Sequence, residues 1–132
     1  MADKLQFDLV SPERALASLE VDMVEAPGAE GIFGVLPGHA PFMAVLAPGV
    51  VRYKTGDTET RIFVRGGFAE VTPAGLTILA EEAIPVAELS SEDISRRLEA
   101  AEKNLADANA EPETRLFAVT EIQNLKEIQA AS

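Results

Sequence analysis

Glycine and proline are distributed unevenly along this 132-residue chain, and that distribution constrains the fold more than any other feature. All nine glycines and seven of the eight prolines lie before residue 88, and only Pro112 follows. Both residue types interrupt helices and favour turns. We therefore predict a domain of short strands and tight turns over residues 1–88 and a helical domain over residues 89–132.

The first domain contains short apolar runs separated by turn signals. Residues 5–9 alternate apolar and polar side chains, as a half-buried strand does, and residues 18–25 repeat the pattern. Turns are predicted at Pro48-Gly49, at residues 55–57 and at Gly66-Gly67. The pattern predicts about ten strands, with the short spacing that is typical of an all-β sandwich. Apolar residues on both faces of some strands favour a core between two antiparallel sheets.

The second domain has the pattern of an antiparallel helical hairpin, which makes the fold class α+β. Ser90 and Ser91 precede Glu92 and Asp93, and this order predicts an N-cap with acidic residues in the first turn. Pro112 can open a second helix after a short loop. The predicted apolar stripes consist of Ile94, Leu98, Ala101, Leu105 and Ala108 in the first helix, and of Leu116, Val119, Ile122, Leu125 and Ile128 in the second.

Composition excludes several classes of function. A net charge of −11 argues against binding to nucleic acid or to an anionic lipid surface, because both carry negative charge. The chain has no cysteine and one histidine, so neither a disulfide nor a transition-metal site is expected. No apolar run is long enough to span a membrane, and the N-terminus has no signal-peptide pattern. We expect a protein of a reducing cytoplasm, with no cofactor and no insertion into the membrane.

His39 is the first candidate for a catalytic group, but its surroundings favour a structural role. No Gly-x-Ser-x-Gly motif and no cysteine accompany it, so a turn histidine bonded to nearby backbone is the favoured interpretation. Gly28, Gly31 and Gly34 recur as in a phosphate-binding loop, yet apolar residues and Pro37 follow them where such a loop needs a helix. These glycines are therefore interpreted as turn residues.

Five carboxylates lie between residues 13 and 30, and they are interpreted as a solvated face. An acid/base pair among them stays open, because strand alternation does not force any two of them together. The residues by themselves therefore predict an acidic interaction protein, and they supply no motif for an active site.

Four blocks of sequence resemble the epsilon subunit of bacterial F-type ATP synthase. The most specific is Gly-x-x-Gly-x-x-Gly-x-Leu-Pro-Gly-His-Ala-Pro over residues 28–41. The others are Phe-Asp-Leu-Val-Ser-Pro-Glu over residues 7–13, Leu-x-Pro-Gly over residues 46–49, and Gly-Gly-Phe-Ala-Glu-Val over residues 66–71. The resemblance covers essentially the whole chain.

The resemblance implies a non-catalytic subunit of the central stalk, the rotor of the enzyme. Such a subunit binds the gamma subunit and the polar loops of the c-ring, and it helps to couple proton-driven rotation to ATP synthesis. It lies peripherally at the cytoplasmic face of the bacterial inner membrane. The positions that match the family's interfaces are Glu30, Gly31 and Ile32 towards the c-ring, and Ser11, His39 and Ala44 towards gamma.

The resemblance also implies a regulatory role for the helical tail, with departures in this chain. In relatives the helices extend towards the alpha and beta subunits and inhibit ATP hydrolysis, and some bind ATP. Asp93 and Arg96 match that ATP motif and are candidates for a weak site, but Glu92 replaces an apolar residue and Arg97 a small one. Nine acidic and five basic residues follow residue 89, so we predict weak or no inhibition.

Two alternative functions stand beside the rotor subunit. The first, within the same family, is mainly an ATP-sensing inhibitor of hydrolysis. The second is a free-standing β-sandwich that binds a ligand or hydrolyses a substrate, which would need a concave pocket with convergent polar groups.

Overall fold

The structure is a computed structural model that describes residues 4–130, and the chain divides into two compact units after Pro85. The first unit is a β-sandwich and the second contains two α-helices, which confirms the predicted fold class. The strands are β1 (Leu5–Val10), β2 (Ala15–Val21), β3 (Met23–Gly28), β4 (Gly31–Val35), β5 (Phe42–Thr55), β6 (Thr58–Thr72), β7 (Gly75–Ala80) and β8 (Ala83–Pro85). A 3₁₀ turn (Val86–Glu88) precedes the helices α1 (Ser91–Ala106) and α2 (Pro112–Ala130).

The strands form one continuous hydrogen-bonded sheet that folds over its own core. Its order is β2-β1-β7-β6-β5-β3-β4, and β8 pairs with β6. Neighbouring strands are antiparallel except for β1 and β7, which run parallel. The predicted antiparallel pairing therefore holds for every pair of strands described here but this one. The central part of the core includes Phe7 of β1 and Tyr53 of β5, whose ring centroids lie 5.2 Å apart.

Over residues 4–130 the structure has eight strands where the sequence predicted about ten, because two predicted turns lie inside long strands. Pro48-Gly49 lies within β5 and Gly66-Gly67 within β6, and the two strands keep a single register from Phe42 opposite Val71 to Thr55 opposite Thr58. Isolated glycine and proline in a paired strand mark a bend or a close approach.

Gly67 marks the point at which β6 changes partner. Residues 62–64 of β6 pair with β8, whereas residues 67–72 pair with β7. The φ angle of Gly67 is +137°, and a Cβ atom there would lie 2.2 Å from the carbonyl oxygen of Leu79. Only glycine fits this contact, so the Gly66-Gly67 signal reflects the approach of β7 and not a turn.

Residues 18–25, predicted as one strand, are divided between β2 and β3 at Asp22. β2 pairs with β1, whereas β3 pairs with β4 and β5, so the chain changes its place in the sheet here. The Asp22 amide donates to the carbonyl oxygen of Lys54, and its carboxylate accepts from the Gly56 amide at 2.7 Å and pairs with Lys4. The hydrogen bonds from Lys4 and Gly56 hold the pKa of Asp22 below its ordinary value of 3.8.

The predicted N-cap of α1 is present. The Asp93 amide donates to the Ser90 hydroxyl at 3.1 Å, and the Ser90 amide donates to the Asp93 carboxylate at 3.2 Å, which together form a capping box. α1 and α2 pack against each other, joined by a short loop.

The apolar stripe of α2 differs from the prediction. The buried positions are Ala118, Glu121, Leu125 and Ile128, at spacings of three, four and three. Leu116 is 67% exposed and Val119 is also exposed, so this part of the predicted apolar stripe lies outside the buried side of α2. The prediction followed +3 steps, which drift around a helix of 3.6 residues per turn, whereas the buried stripe follows the helical period.

Candidate functional site

The three residues predicted to face the c-ring lie together at the tip of the β3–β4 hairpin. Gly28 pairs with Gly31, and Ala29 and Glu30 form the turn between them. Gly31 has a φ angle of +139°, a conformation that side chains with a Cβ atom rarely adopt. Ile32 follows with 70% of its surface exposed, and Glu30 in the turn before it is exposed as well.

A groove runs beside this hairpin, between its tip and the first residues of β5. Ala44 lines it together with Met43 and Val45. Phe33 of the hairpin and Phe42 of β5 also line it, and their rings meet edge to face at 5.3 Å. The Ala29 amide donates to the carbonyl oxygen of Val45 at 2.8 Å and joins the two sides.

His39 and Ser11 both stabilise turns. The Nδ1 atom of His39 lies 2.7 Å from the carbonyl oxygen of Ala40, and its ring contacts Phe42 edge to face at 5.1 Å. The Ser11 hydroxyl donates to the carbonyl oxygen of Arg14 at 3.2 Å and accepts from the Arg14 amide at 3.3 Å. These contacts agree with the turn-histidine interpretation of His39.

The structure also contains an exposed row of apolar side chains that the sequence reasoning missed. Cross-strand pairing places Val45 opposite Phe68, Phe68 opposite Leu79, and Leu79 opposite Val10. All four side chains are exposed, Phe68 by 55%. We call Val10, Leu79, Phe68 and Val45 the apolar row.

The apolar row connects two of the residues predicted to face gamma. Ser11 directly follows Val10 at one end of the row, and Ala44 directly precedes Val45 at the other. The sequence signal was the presence of apolar residues on both faces of these strands, which was interpreted as core. In β6, however, Ala69 and Val71 are buried while Phe68 lies on the opposite, exposed face.

A polar row lies beside the apolar row on the same face of the sheet. Register places Glu70 opposite Thr77, Thr77 opposite Asp8, and Asp8 opposite Ser18, and we call these four residues the polar row. The Ser18 hydroxyl donates to the Asp8 carboxylate at 2.7 Å. Within residues 4–130, no hydrogen bond or ion pair is found for the exposed carboxylate of Glu70.

The two candidate residues for a weak ATP site contact each other. Arg96 donates to the Asp93 carboxylate, which also belongs to the capping box of α1. The hydrogen bonds to Ser90, and then the contact with Arg96, hold the pKa of Asp93 below 3.8. A small depression beside this pair is lined by Arg96 together with Ser91, Glu92 and Ser95.

The part of the chain that the structure describes holds no cluster of three or more metal-ligating side chains. Over the same residues, neither helix has the length and apolar character needed to cross a bilayer.

Comparison with known proteins defines the class to which this fold belongs. Residues 4–86 match the family model described as the β-sandwich domain of the ATP synthase delta/epsilon chain. Curated relatives extend the match through the helical unit. An ATP synthase epsilon chain from Parvibaculum lavamentivorans is 51% identical over 98% of each chain, and one from Hyphomonas neptunium is 52% identical over 99% of this chain and 98% of its own. The chain belongs to the family of ATP synthase epsilon chains.

Solved structures show the same fold at lower sequence identity. A chain from the mitochondrial ATP synthase of Euglena gracilis, in a structure described as the OSCP/F1/c-ring assembly, superposes with a TM-score of 0.75 at 24% identity. That match covers 97% of this chain and 81% of the other. A chain from the central stalk and c-ring of the Tetrahymena thermophila mitochondrial enzyme gives a TM-score of 0.71 at 13% identity, over 95% and 96% of the two chains.

Proposed function

We propose that this chain is a non-catalytic central-stalk subunit of a proton-translocating F-type ATP synthase. In this role it binds gamma and the c-ring and helps to transmit rotation to ATP synthesis. Residues 1–88 are the rotor-binding domain, and residues 89–132 are a regulatory-type domain. The observation that carries the proposal is the apolar row, a contact surface on a chain of the epsilon family.

The apolar row suits a permanent contact with gamma. Scattered exposed apolar residues are normal, but four in register on neighbouring strands form a contiguous patch, which marks a protein interface. Burial of a large apolar side chain contributes about 1.5–3 kcal/mol. Ser11 and Ala44 are next in sequence to the two ends of the row, where the Ser11 side chain is buried and Ala44 is half-buried, and His39 holds the turn that leads into β5.

The β3–β4 hairpin suits a contact with the polar loops of the c-ring. Its tip offers two exposed side chains, the Glu30 carboxylate and the apolar Ile32, on a backbone fixed by paired strands. A short hairpin with few accessible conformations transmits force better than a flexible loop, because little deformation accompanies the load.

The contacts of the candidate residues support an accessory role without an active site. His39 is engaged with the backbone and with Phe42, and Ser11 with the backbone of Arg14. The chain would act as a peripheral component of the complex at the cytoplasmic face of the bacterial inner membrane.

The helical tail is proposed to inhibit ATP hydrolysis weakly or not at all, through contacts with the alpha and beta subunits. Its excess of acidic residues disfavours an acidic partner surface. Weak ATP binding is proposed for a separate, local reason: Asp93 and Arg96 already bind each other, and Asp93 also belongs to the capping box of α1.

Replacement of Phe68 tests the gamma-binding surface. We expect Phe68→Ser to weaken binding of the full chain to a purified complex of gamma and the c-ring by about 10- to 100-fold, which is the size of an interface hot-spot effect. Leu116→Ser is the matched control, because Leu116 is a large apolar residue that is at least as exposed as Phe68 but lies in α2. Wild-type affinity of the Phe68 variant would contradict the proposal.

Removal of residues 90–132 tests the role of the tail. Because the sandwich forms a compact unit of its own, we expect the shortened chain to assemble into the complex and to leave the rate of ATP hydrolysis nearly unchanged, with or without added ADP. A several-fold rise in hydrolysis would show that the chain is an inhibitor, the alternative function within this family.

A further inference from the structure

The polar row gives the proposed gamma-binding surface a charge pattern. Two carboxylates, Asp8 and Glu70, lie on the same face of the sheet as the apolar row. Each is two residues along its strand from a member of that row, Asp8 from Val10 and Glu70 from Phe68. The two carboxylates are two strands apart, which corresponds to about 10 Å between their Cα atoms. The face is therefore apolar along one line and acidic along the next.

Among the described residues, β1, β6 and β7 place no basic side chain beside the two carboxylates, and Lys4, which precedes β1, is paired with Asp22. The side chains that share this face on β1, β6 and β7 are Gln6, Asp8, Val10, Phe68, Glu70, Thr72, Thr77 and Leu79. None is basic. A partner docked on the apolar row would bring its own charges next to Asp8 and Glu70, and the interaction would be favourable only where those charges are positive.

The two carboxylates are differently prepared for such a contact. Asp8 is held by the Ser18 hydroxyl at 2.7 Å and lies 3.5 Å from the Gln6 amide nitrogen, so its position is fixed before binding. Glu70 is exposed and stands opposite Met43 and Thr77, and among the described residues its carboxylate has no hydrogen-bond partner. Its carboxylate is therefore fully available to a partner.

We propose that Asp8 and Glu70 bind lysine or arginine side chains of gamma and thereby set the orientation in which gamma docks on the apolar row. The inference rests on the proposed binding of gamma to that row. The apolar row supplies most of the affinity but little direction along itself, since its four side chains are of similar character. An off-axis pair of carboxylates distinguishes one orientation from the reverse, because only one brings opposite charges together.

The test measures the salt dependence of binding to a purified complex of gamma and the c-ring. Glu70→Gln and Asp8→Asn should each weaken binding by about two- to five-fold at low salt, the range of exposed ion pairs. The difference from wild type should vanish at high salt, where exposed charges are screened. Asp57→Asn is the control, because Asp57 is an exposed carboxylate in the turn between β5 and β6, outside this face.

The possible outcomes distinguish the role of Asp8 and Glu70 from the proposed binding of gamma to the apolar row. If Glu70→Gln and Asp8→Asn bind with the affinity and salt dependence of the Asp57 control, while Phe68→Ser binds weakly, the inference is wrong and the gamma-binding surface stands. If Phe68→Ser also binds like wild type, both are wrong. Glu70→Gln alone is decisive should Asp8→Asn disturb the Ser18 contact, because the Glu70 carboxylate has no hydrogen-bond partner within the described residues.

Discussion

The glycines of this chain have different structural roles. The sequence shows only a regular repeat at Gly28, Gly31 and Gly34 and a Gly-Gly pair at residues 66–67. Gly31 requires a positive φ angle at the tip of the β3–β4 hairpin, whereas Gly34 does not. At Gly67 the constraint is the close approach of the β7 backbone. The sequence predicted the glycines as turn residues, but spacing alone cannot separate a turn from a close contact, since the contact at Gly67 is with Leu79 of the next strand, whose register the local pattern does not give.

Gly31→Val should impair attachment to the c-ring. A β-branched residue at a φ of +139° costs about 1–3 kcal/mol and would displace Glu30 and Ile32. Assembly of the complex and coupling of proton flow to ATP synthesis are the measurements. Gly34→Val is the control, because its Cβ would lie an ordinary 3.9 Å from the nearest atoms, in Met23 and Val24. Equal behaviour of the two variants would argue against a rigid hairpin tip.

At the scale of elements, local signals were reliable and pairing signals were not. The start of α1 was predicted from Ser90 to Asp93, because the capping box is formed within four neighbouring residues. The parallel pairing of β1 with β7 was not predicted, because it joins residues far apart in sequence. The apolar row was missed for a related reason: an outward Phe68 looks like core until the partner strands on each side are known.

The capping box of α1 should make the helix sensitive to acid. Because the pKa of Asp93 is lowered in the folded chain, its contribution to stability is fully present above its ordinary pKa of 3.8 and is lost as the pH falls through the lowered value. Asp93→Asn should therefore melt at a lower temperature than wild type near neutral pH, and the difference should disappear in strong acid. A difference independent of pH would contradict this account.

At the scale of the whole molecule, the two units should differ in stability. A hairpin of two helices buries little apolar surface, whereas the sandwich has a large core that includes Tyr53. Tyr53 is the only tyrosine and there is no tryptophan, so tyrosine fluorescence reports on the sandwich alone. In a urea titration the helical circular dichroism should fall at lower urea than the tyrosine signal changes. Coincident transitions would show that the two units unfold as one.

The position of β1 in the sheet also has a consequence for biosynthesis. β1 is made first but lies between β2 and β7, and its parallel partner β7 is separated from it by most of the sandwich sequence. While the nascent chain leaves the ribosome, β1 can pair with β2 at once, but its other edge stays unpaired until residues 75–80 have emerged. Closure of the sandwich therefore waits for its second-to-last strand, and pairing over such a separation in sequence is slow.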